Sequence, residues 1–554
     1  MADLRNIPRQ LRIKVDDWHT NWRLLRLNRQ INRQVKLKTD QAPVAFFNAS
    51  TRLVAMSLNA AFSYLAACGL QAAGLPVVNF GCNAGMSRCV LGSDRDEPSK
   101  NPPCRECTSQ AKWIFSHAPT LWFQYEQDPT LAEDLKSLTV TELCWFEYKT
   151  SCDPQNRSDQ ERAKADFTIP LGQLVLPSLR WFLRRHHLQD DEITRFFFRE
   201  FILSAYQVAL EFNRFLNVVH PQAVVVFNGL MYPEAAARWV AQQMGIRVIT
   251  HEVGFQPFSA FFTEGEATAY PVDIPAEFEL NPAQNAQLDK YLEQRYQGNF
   301  TMAGIRFWPQ MVGLDEALSN KIKEFKQIVP VFTNVIFDTS QTHANPIFDD
   351  MFAWLDSILE IMRIHKDTYF IIRAHPDEMR SGKESRESVK DWAVKNHLEN
   401  YDNVLFVEPH AYLSSYELIQ KAKFVMVYNS SIGLEAALLG APVLCGGRAR
   451  YTQIPTVFLP DSQDSFRRTA EDFLSSPNAI PIPEDFQRNA RKFLYYQLYR
   501  VSFPFSDFLE ESSRPGYVKL KPFSWHQLSV ERSPTMLAIV EGITQCKPFV
   551  LEND

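Results

Sequence analysis

Short apolar runs alternate with longer helical patterns along most of this sequence, and the alternation narrows the fold more than any other feature. One clear unit has an apolar run at 223–227, a turn at Asn228-Gly229, a helical pattern at 232–244 and a second apolar run at 247–250. Continuous apolar runs of this length are typical of parallel strands buried on both faces. The intervening helix is the crossover that parallel strands need, so the pattern predicts an α/β fold of βαβ units.

The alternation falls into two blocks, which predicts two Rossmann-like domains. In the first block, the predicted strands are 43–47, 75–80, 223–227 and 247–250, and the predicted helices are 54–73, 193–219 and 232–244. In the second block, the predicted strands are 329–334, 369–373, 404–407, 424–428 and 442–444, and the predicted helices are 347–365, 384–398, 413–421 and 432–440. The predicted divisions are a basic helical segment (1–40), a first domain (41–328), a second domain (329–485) and aromatic closing helices (486–554).

Composition excludes several classes of protein. A chain of 554 residues exceeds one ordinary core, and its net charge of -6 gives no reason to expect a nucleic-acid partner. No run of eighteen apolar residues predicts a transmembrane helix, and the first residues lack the apolar core of a signal peptide. We therefore expect a cytoplasmic protein, with thiols rather than a disulfide framework.

The first 38 residues are basic, with ten Lys or Arg against three Asp and with apolar residues interleaved. One interpretation is an amphipathic helix that makes peripheral contact with an anionic membrane, at the cytoplasmic face of the inner membrane. The preferred alternative is a solvated helix that packs on its own domain.

A polar segment connects the strand predicted at 424–428 to the helix predicted at 432–440. It contains Asn429, Ser430, Ser431 and Gly433. Free N–H groups and the dipole of a helix start favour an anion, and Gly433 lets a phosphate approach the backbone. Glu435, one turn into the helix, suits the two hydroxyl donors of a ribose. The alternative is that one of the serines is only a helix cap.

Two further strands of the second block have polar ends. One strand ends in Arg373 and is followed by His375, and another ends in Asn334 and is followed by Asp338. Arginine and histidine suit phosphate oxygens. The alternatives are a lone structural histidine and a turn rich in Asx contacts.

The carboxyl ends of parallel strands share one edge of a sheet, so these polar segments converge. The convergence predicts a pocket for a nucleoside mono- or diphosphate. The chain has no Gly-x-x-x-x-Gly-Lys-[Ser/Thr] motif, and no Gly-x-Gly-x-x-Gly follows a predicted strand. An ATPase and a dinucleotide-dependent redox enzyme therefore have little support.

Arg373-Ala-His-Pro376, the run from Asn429-Ser-Ser-Ile-Gly433 to Pro442-Val443, and the tail Gly447-Arg-Ala-Arg-Tyr451 carry a resemblance to a known family. They resemble the capsule polysaccharide biosynthesis family, which includes bacterial Kdo transferases and is related to GT-B sialyltransferases with His-Pro and Ser-Ser motifs. The resemblance covers about 329–515 and is only architectural over 1–328.

The resemblance implies a GT-B fold, in which the second domain binds the nucleotide-sugar donor and the first binds the acceptor. It implies a glycosyltransferase of bacterial surface polysaccharide biosynthesis with a CMP-, UDP- or GDP-linked donor and a glycan or lipid-linked acceptor. By analogy, His375, Ser430 and Ser431 contact donor phosphate, Glu435 contacts the ribose, and residues 486–554 cross back towards the first domain. No Asp-x-Asp ends a predicted strand, so we expect chemistry without a cofactor or a catalytic metal.

The predicted strand at 247–250 leads into His251 and Glu252, and both are candidates for the base that deprotonates an acceptor hydroxyl. Related families carry an acidic residue beside a glycine near this place, which favours Glu252. The alternative is a carboxylate that lines the cleft for binding only. Asn228, at the neighbouring strand end, is predicted to shape the acceptor pocket.

Four cysteines, Cys82, Cys89, Cys104 and Cys107, have the spacing Cys-x6-Cys-x14-Cys-x2-Cys. Four thiolates with one close pair can hold structural zinc or an iron–sulfur cluster. Cys-x6-Cys is not a standard zinc spacing, so four free thiols remain the alternative.

Two other functions stay open. A UDP-sugar epimerase of GT-B fold shares a His-Pro-like loop, but its Ser-Gly-Gly type of phosphate turn differs from Ser430-Ser-Ile-Gly433. A non-catalytic GT-B-like protein that binds glycan or scaffolds a complex would release no nucleotide from any donor.

Overall fold

Two largely parallel sheets organise the residues that the computed structural model describes, which are 9–38, 40–49, 55–149, 168–297, 312–380, 382, 384–411 and 413–552. The strands are β1 (Val44–Asn48), β2 (Val77–Cys82), β3 (Thr120–Phe123), β4 (Tyr148–Lys149), β5 (Thr168–Ile169), β6 (Ala223–Phe227), β7 (Arg247–Val253), β8 (Ser259–Thr263), β9 (Gln327–Phe332), β10 (Thr368–Arg373), β11 (Val404–Val407), β12 (Val425–Val427), β13 (Val443–Cys445), β14 (Phe503–Pro504), β15 (Leu509–Glu511) and β16 (Val518–Leu520).

The α-helices pack around these sheets. They are α1 (Arg9–Gln34), α2 (Leu58–Ala72), α3 (Cys104–Ile114), α4 (Pro129–Asp134), α5 (Val140–Cys144), α6 (Leu171–Leu183), α7 (Glu192–Val219), α8 (Glu234–Gln243), α9 (Pro282–Tyr296), α10 (Glu316–Ile322), α11 (Gln341–Ala344), α12 (Met351–Ile364), α13 (Val389–Lys395), α14 (Ser415–Lys421), α15 (Ile432–Leu438), α16 (Gln463–Ser475), α17 (Glu484–Tyr495) and α18 (Pro534–Gln545).

The N-terminal sheet has the strand order β14-β8-β7-β6-β1-β2-β3. Strands β3, β2, β1, β6 and β7 are parallel, while β8 and β14 continue the sheet antiparallel. Side chains alternate between two buried cores, so Phe46 and Val225 face one core and Phe47 and Val226 face the other. Burial on both faces explains why these strands read as continuous apolar runs.

The C-terminal sheet is parallel throughout, in the order β11-β10-β9-β12-β13. Its strands are also covered on both faces: Val331 and Ile372 enter one core, while Phe332 and Val427 enter another. Both sheets therefore have a Rossmann-like order, and together they form the α/β, GT-B-like architecture that the sequence predicts.

In each sheet the strand order reverses beside the first strand of the block, at β1/β6 and at β9/β12. The chain leaves the two neighbouring strands in opposite directions at such a point, so a crevice opens outside their carboxyl ends. These two crevices are where the fold places ligands by its topology alone.

The C-terminal segment crosses back to the first domain, as the sequence predicts. After α17, which packs on α15, strand β14 pairs with β8 of the N-terminal sheet and α18 packs on α2. Besides the predicted helices, residues 486–554 contain β14 and an antiparallel hairpin of β15 and β16, which the sequence did not predict. These strands are too short for a period-2 pattern to be readable in the sequence.

The polar region between 270 and 328 contains a helix that the sequence interpretation missed. Helix α9 begins with Asn281 as N-cap and Pro282 at its first position, and the Asn281 side chain accepts the Gln284 N–H. Strand β9 then begins at Gln327, two residues before the strand predicted at 329–334.

Helix α1 packs on its own domain through one face, where Leu24, Leu27 and Ile31 are buried. The opposite face exposes Trp18 and Trp22, by 64% and 51%. The packing agrees with the preferred interpretation of this segment, while membrane contact through 1–38 stays a prediction. In the described part of the chain we find no helix with both the length and the apolar character that crossing a membrane requires.

Polar contacts hold the two lobes together. His187, between α6 and α7, contacts Asp350 through Nε2 at 3.0 Å and Glu387 through Nδ1 at 2.5 Å. Hydrogen bonds to these carboxylates raise the pKa of His187 to about 10. At another point of contact, Thr268 Oγ1 and His343 Nε2 lie 2.9 Å apart. The lobes therefore meet in a defined orientation.

Glu378, in the turn after His375, is a buried acid that generates a stability prediction. Its Oε1 accepts the Val389 N–H at 3.2 Å, and its Oε2 has no hydrogen-bond partner. Burial raises the pKa of Glu378 from 4.5 to about 8. The folded state therefore binds this proton more tightly than the unfolded state, and the stabilisation that is complete below pH 4.5 is lost as the pH rises towards 8.

In the wild type, ionisation of Glu378 should lower the free energy of unfolding by roughly 1.4 kcal/mol per pH unit across that window. We expect Glu378→Gln to abolish this pH dependence, because glutamine does not ionise. Urea unfolding at several pH values measures it: the variant should gain on the wild type as the pH rises. The control Glu293→Gln changes an exposed carboxylate on α9 and should give a pH-independent difference. A pH-independent difference for Glu378→Gln would contradict the assignment.

Candidate functional site

A chain of side-chain hydrogen bonds lies at the bottom of the crevice at β9/β12. Asn334 Nδ2 donates to Asn429 Oδ1 at 2.7 Å, and Asn429 Nδ2 donates to Ser340 Oγ at 3.4 Å. Ser340 Oγ in turn donates to Asp338 Oδ2 at 2.5 Å. The structure thus brings together Asn334, Asp338 and Asn429, which the strand-end argument predicted to converge.

His375 follows β10 at the same edge of the sheet. Its Nδ1 accepts the Asp377 N–H at 3.2 Å, which assigns the proton of the neutral ring to Nε2. Burial lowers the pKa of His375, and the carboxylates of Asp377 and Asp338 oppose that change. The ring is therefore a neutral hydrogen-bond donor of a kind that suits an anionic ligand.

Arg373 is buried at the end of β10, and its guanidinium donates to Ser415 Oγ at the start of α14. Burial lowers its pKa to about 10. Its charge lowers the pKa of His375, so the cation contributes to the electrostatics of this strand end.

The serines after β12 are not explained by helix capping. Ser431 occupies the N-cap position of α15, but its side chain makes no capping hydrogen bond. The backbone carbonyl of Ser430 accepts the Tyr451 hydroxyl at 2.9 Å. A Cβ at Gly433 would lie 2.2 Å from that hydroxyl oxygen. The ring of Tyr451 therefore requires the glycine, a reason that the sequence did not indicate.

Glu435, the predicted ribose ligand, is buried in an ion pair with Arg295 of α9. Its second oxygen accepts the Tyr416 hydroxyl. Burial by itself lowers the pKa of Arg295, but the Glu435 carboxylate outweighs it and the net shift is upward. Both carboxylate oxygens already have partners, so a ribose would share this group with Arg295 and Tyr416.

Glu252, at the end of β7, is half-buried and held by three donors. Asn228 Nδ2 lies 2.9 Å from Oε2, while the Val253 N–H and Asn59 Nδ2 lie 2.8 and 3.4 Å from Oε1. Burial raises the pKa of Glu252 although these donors oppose it. Asn228 thus orients the candidate base, and the pKa moves towards the range in which a base works near neutral pH.

His251 has a different environment from its neighbour. Its ring is buried between Phe227 and Phe262, with ring centroids 5.8 and 5.3 Å away. Burial lowers its pKa to about 3. Successive side chains on a strand point to opposite faces, so the structure separates His251 from Glu252.

The two lobes meet electrostatically at Asp338. Its carboxylate raises the pKa of both Glu252 and His375, which belong to different sheets. A cavity of about 200 Å³ lies beside it, lined from both lobes by Arg180, Leu230, Met231, Phe337, Asp338 and Gln341. The arrangement can hold an anionic ligand on one side and a hydroxyl compound near a carboxylate on the other.

Several residues that shape the site were not predicted. They are Asn59, Arg295, Tyr416 and Tyr451. Asn59 lies at the start of the helix that follows β1, so the strand-end rule could have found it. The others act through contacts with residues distant in the sequence, for which the chain carries no local signal.

The predicted metal ligands lie elsewhere in the N-terminal lobe, at the end of β2 and the start of α3. Within the described ranges, one group of three potential metal ligands has its ligand atoms within 4.8 Å of one another. It consists of His186, His187 and Asp350. The His187–Asp350 contact in that set is the ion pair between the lobes described above.

Part of this chain matches a family model and a curated protein. Residues 287–471 match the model of a family described as capsule polysaccharide biosynthesis protein. Protein FixF of Sinorhizobium fredii is 28% identical over 236 residues, which are 41% of this chain and 49% of FixF. The chain thus spans about half the length of that curated relative.

Solved structures also match at low identity. The beta Kdo 2,4 transferase KpsC of Thermosulfurimonas dismutans matches with 12% identity and a TM-score of 0.35, covering 54% of this chain and 84% of its own. The UDP-GlcNAc 2-epimerase of Neisseria meningitidis, bound to UDP-GlcNAc, matches with 13% identity and a TM-score of 0.25, covering 83% and 99%. At these identities and TM-scores, the structural matches carry no argument about the activity of this chain.

The segment of the family match begins before the predicted boundary at 329 and includes Arg295 of α9 together with its partner Glu435. It also includes Arg373-Ala-His-Pro376 and the segment from Asn429 to Val443, on which the predicted resemblance depends. Residues 287–471 thus resemble the capsule polysaccharide biosynthesis family, as the motifs in the sequence predict.

Proposed function

We propose that this protein is a glycosyltransferase that moves a sugar from a nucleotide-sugar donor to a glycan or lipid-linked acceptor in bacterial surface polysaccharide biosynthesis. The single observation that carries the proposal is that Asp338 interacts electrostatically with both Glu252 and His375, which belong to different lobes. Glu252 is a carboxylate held by three donors, and His375 is a neutral histidine at the end of β10.

The donor binds at the β9/β12 crevice in this proposal. His375 donates to a phosphate oxygen, while Ser430 and Ser431 supply further donors at the end of β12. Asn334, Asp338 and Asn429 form the floor, and the buried cation of Arg373 adds positive potential behind it. Such positioned donors stabilise the charge that develops on a leaving nucleotide.

Glu252 is the proposed base of an inverting displacement. The acceptor hydroxyl gives its proton to Glu252 while its oxygen attacks the anomeric carbon of the donor. The bond from that carbon to the phosphate oxygen breaks, and the nucleotide leaves with the electron pair. Positioning and charge stabilisation account for such a reaction, so the proposal needs neither a catalytic metal nor a cofactor.

The donor base stays among CMP, UDP and GDP, and the proposed reaction takes place in the cytoplasm, at the membrane face if residues 1–38 contact lipid. A UDP-sugar epimerase is a second candidate, because epimerases of GT-B fold share a His-Pro-like loop, which here is His375-Pro376. Product analysis separates the two, since an epimerase returns a sugar without an acceptor. A non-catalytic scaffold forms neither product.

Glu252→Gln tests the proposed base. We expect kcat for transfer to fall by roughly 10² to 10⁴-fold, while the KM for the donor stays near the wild-type value. Because only the ionised carboxylate accepts the proton, wild-type activity should rise with pH through the raised pKa of Glu252. The variant should lose that dependence. The measurement is nucleotide release and acceptor glycosylation across a pH series.

The matched control for this experiment is Glu147→Gln, an exposed carboxylate of the same lobe. It should leave kcat and the pH profile unchanged. Wild-type kcat retained in Glu252→Gln would show that the carboxylate only lines the cleft. Sugar conversion without an acceptor would instead favour the epimerase.

Glu435→Gln tests the ribose contact separately from stability. The change leaves the buried charge of Arg295 without its partner, so we expect about 3–5 kcal/mol of lost unfolding free energy. The double variant Glu435→Gln with Arg295→Gln should recover part of that loss. If Glu435 also binds ribose, both variants lose nucleotide affinity, as calorimetric titration of the folded protein measures.

One result would contradict the ribose contact of Glu435, and another would contradict its ion pair. Unchanged nucleotide affinity in both variants would restrict the residue to its ion pair with Arg295. Wild-type stability in the single variant would contradict the buried pair itself.

A further inference from the structure

Two segments of the N-terminal lobe bring four cysteines together. Cys82 is the last residue of β2 and Cys89 follows in the next loop, while Cys104 is the first residue of α3 and Cys107 lies in its first turn. None of the four forms a disulfide, and each is half-buried. They belong neither to the cleft nor to the proposed transfer reaction.

Cys82 and Cys89 have the same local geometry. The Gly85 N–H donates to Cys82 Sγ at 3.1 Å, and the Gly92 N–H donates to Cys89 Sγ at 3.1 Å. In both turns the donor lies three residues after the sulfur that accepts. A backbone N–H directed at sulfur favours the thiolate, which is the form that binds metal.

The start of α3 supplies the other pair. Pro103 precedes the helix without a side-chain capping bond, and the helix dipole favours negative charge on Cys104 and Cys107. The two segments are packed together at Gly92, where a Cβ would lie 2.9 Å from Cys89 Sγ and 3.1 Å from Pro102 Cβ. The loop of the first pair therefore rests on the residues that lead into the second pair.

The sulfurs lie within electrostatic range of one another. Cys107 interacts electrostatically with Cys82, Cys89 and Cys104. Cys82 likewise interacts with Cys89 and Cys104. Thiolates this close repel one another. A bound divalent cation replaces that repulsion with attraction and favours the deprotonated form of each thiol.

We propose that Cys82, Cys89, Cys104 and Cys107 bind one structural Zn²⁺ as four thiolates, with their protons released to solvent. No three of these sulfurs lie within 4.8 Å of one another in the described coordinates. Zn–S bonds of about 2.3 Å therefore draw the loop and the helix start closer. Four protein ligands leave no open position, so the ion has a structural role and not a catalytic one.

The site fixes a loop that contacts both lobes. Within the first pair of cysteines, the carbonyl of Arg88 accepts the Tyr232 hydroxyl. Between the two pairs, Asp96 forms an ion pair with Arg386 of the C-terminal lobe. Binding of the ion at both ends of this loop limits its motion, so the metal stabilises a contact between the lobes.

Metal analysis of the full chain tests the proposal. We expect about one zinc per chain by mass spectrometry of the purified protein. Cys104→Ser and Cys107→Ser should each lose most of it, while Cys546→Ser, an exposed thiol outside the cluster, should keep it. Replacement by Co²⁺ should give the absorption bands of tetrahedral cobalt thiolate in the wild type and the control only.

A second measurement on the wild type covers the case in which the variants fail to fold. Thiol titration before and after treatment with a chelator should reveal the four shielded cysteines only after metal removal. Protein without zinc that also forms no cobalt thiolate bands would overturn the proposal. Zinc retained in Cys104→Ser would overturn it, and so would iron with the visible absorption of an iron–sulfur cluster.

Discussion

The reversal of strand order in two parallel sheets is the constraint on which the rest of the structure depends. Strands covered on both faces by helices must be apolar, so polar side chains are confined to the places where strands end. At β9/β12 that confinement brings Asn334 and Asn429 to within hydrogen-bonding distance across the crevice. At the end of β7 it places Glu252 beside Asn228.

The chemistry of the proposed site depends on how the lobes face each other. Glu252 and His375 come from sheets that share no strand, and Asp338 acts on both because contacts between the lobes hold the cleft in one arrangement. His187 contributes to those contacts with a charge-assisted pair to Asp350 and Glu387. A residue far from the reacting atoms therefore helps to set the distance between base and donor.

The sequence was most informative where one physical rule acted alone. Apolar runs located β6 and β11 at their observed bounds, and the strand-end rule predicted the convergence of Asn334 and Asn429. It was uninformative about β14 to β16, because two- and three-residue strands carry no period. It could not reveal that Glu435 pairs with Arg295, since the partner lies 140 residues away. The sequence predicts that Gly433 lets a phosphate approach the backbone, and only the packing shows that the Tyr451 hydroxyl also lies against it.

The most direct test of the central claim is a thermal-shift titration with CMP, UDP, GDP and ADP and with their common sugar conjugates. A ligand that binds only the native state raises the unfolding midpoint by mass action. Our account predicts a concentration-dependent rise with one nucleotide, lost in His375→Ala and kept in His526→Ala, an exposed histidine outside the crevice. No rise with any nucleotide, or a rise that persists in His375→Ala, would contradict a donor site at the β9/β12 crevice.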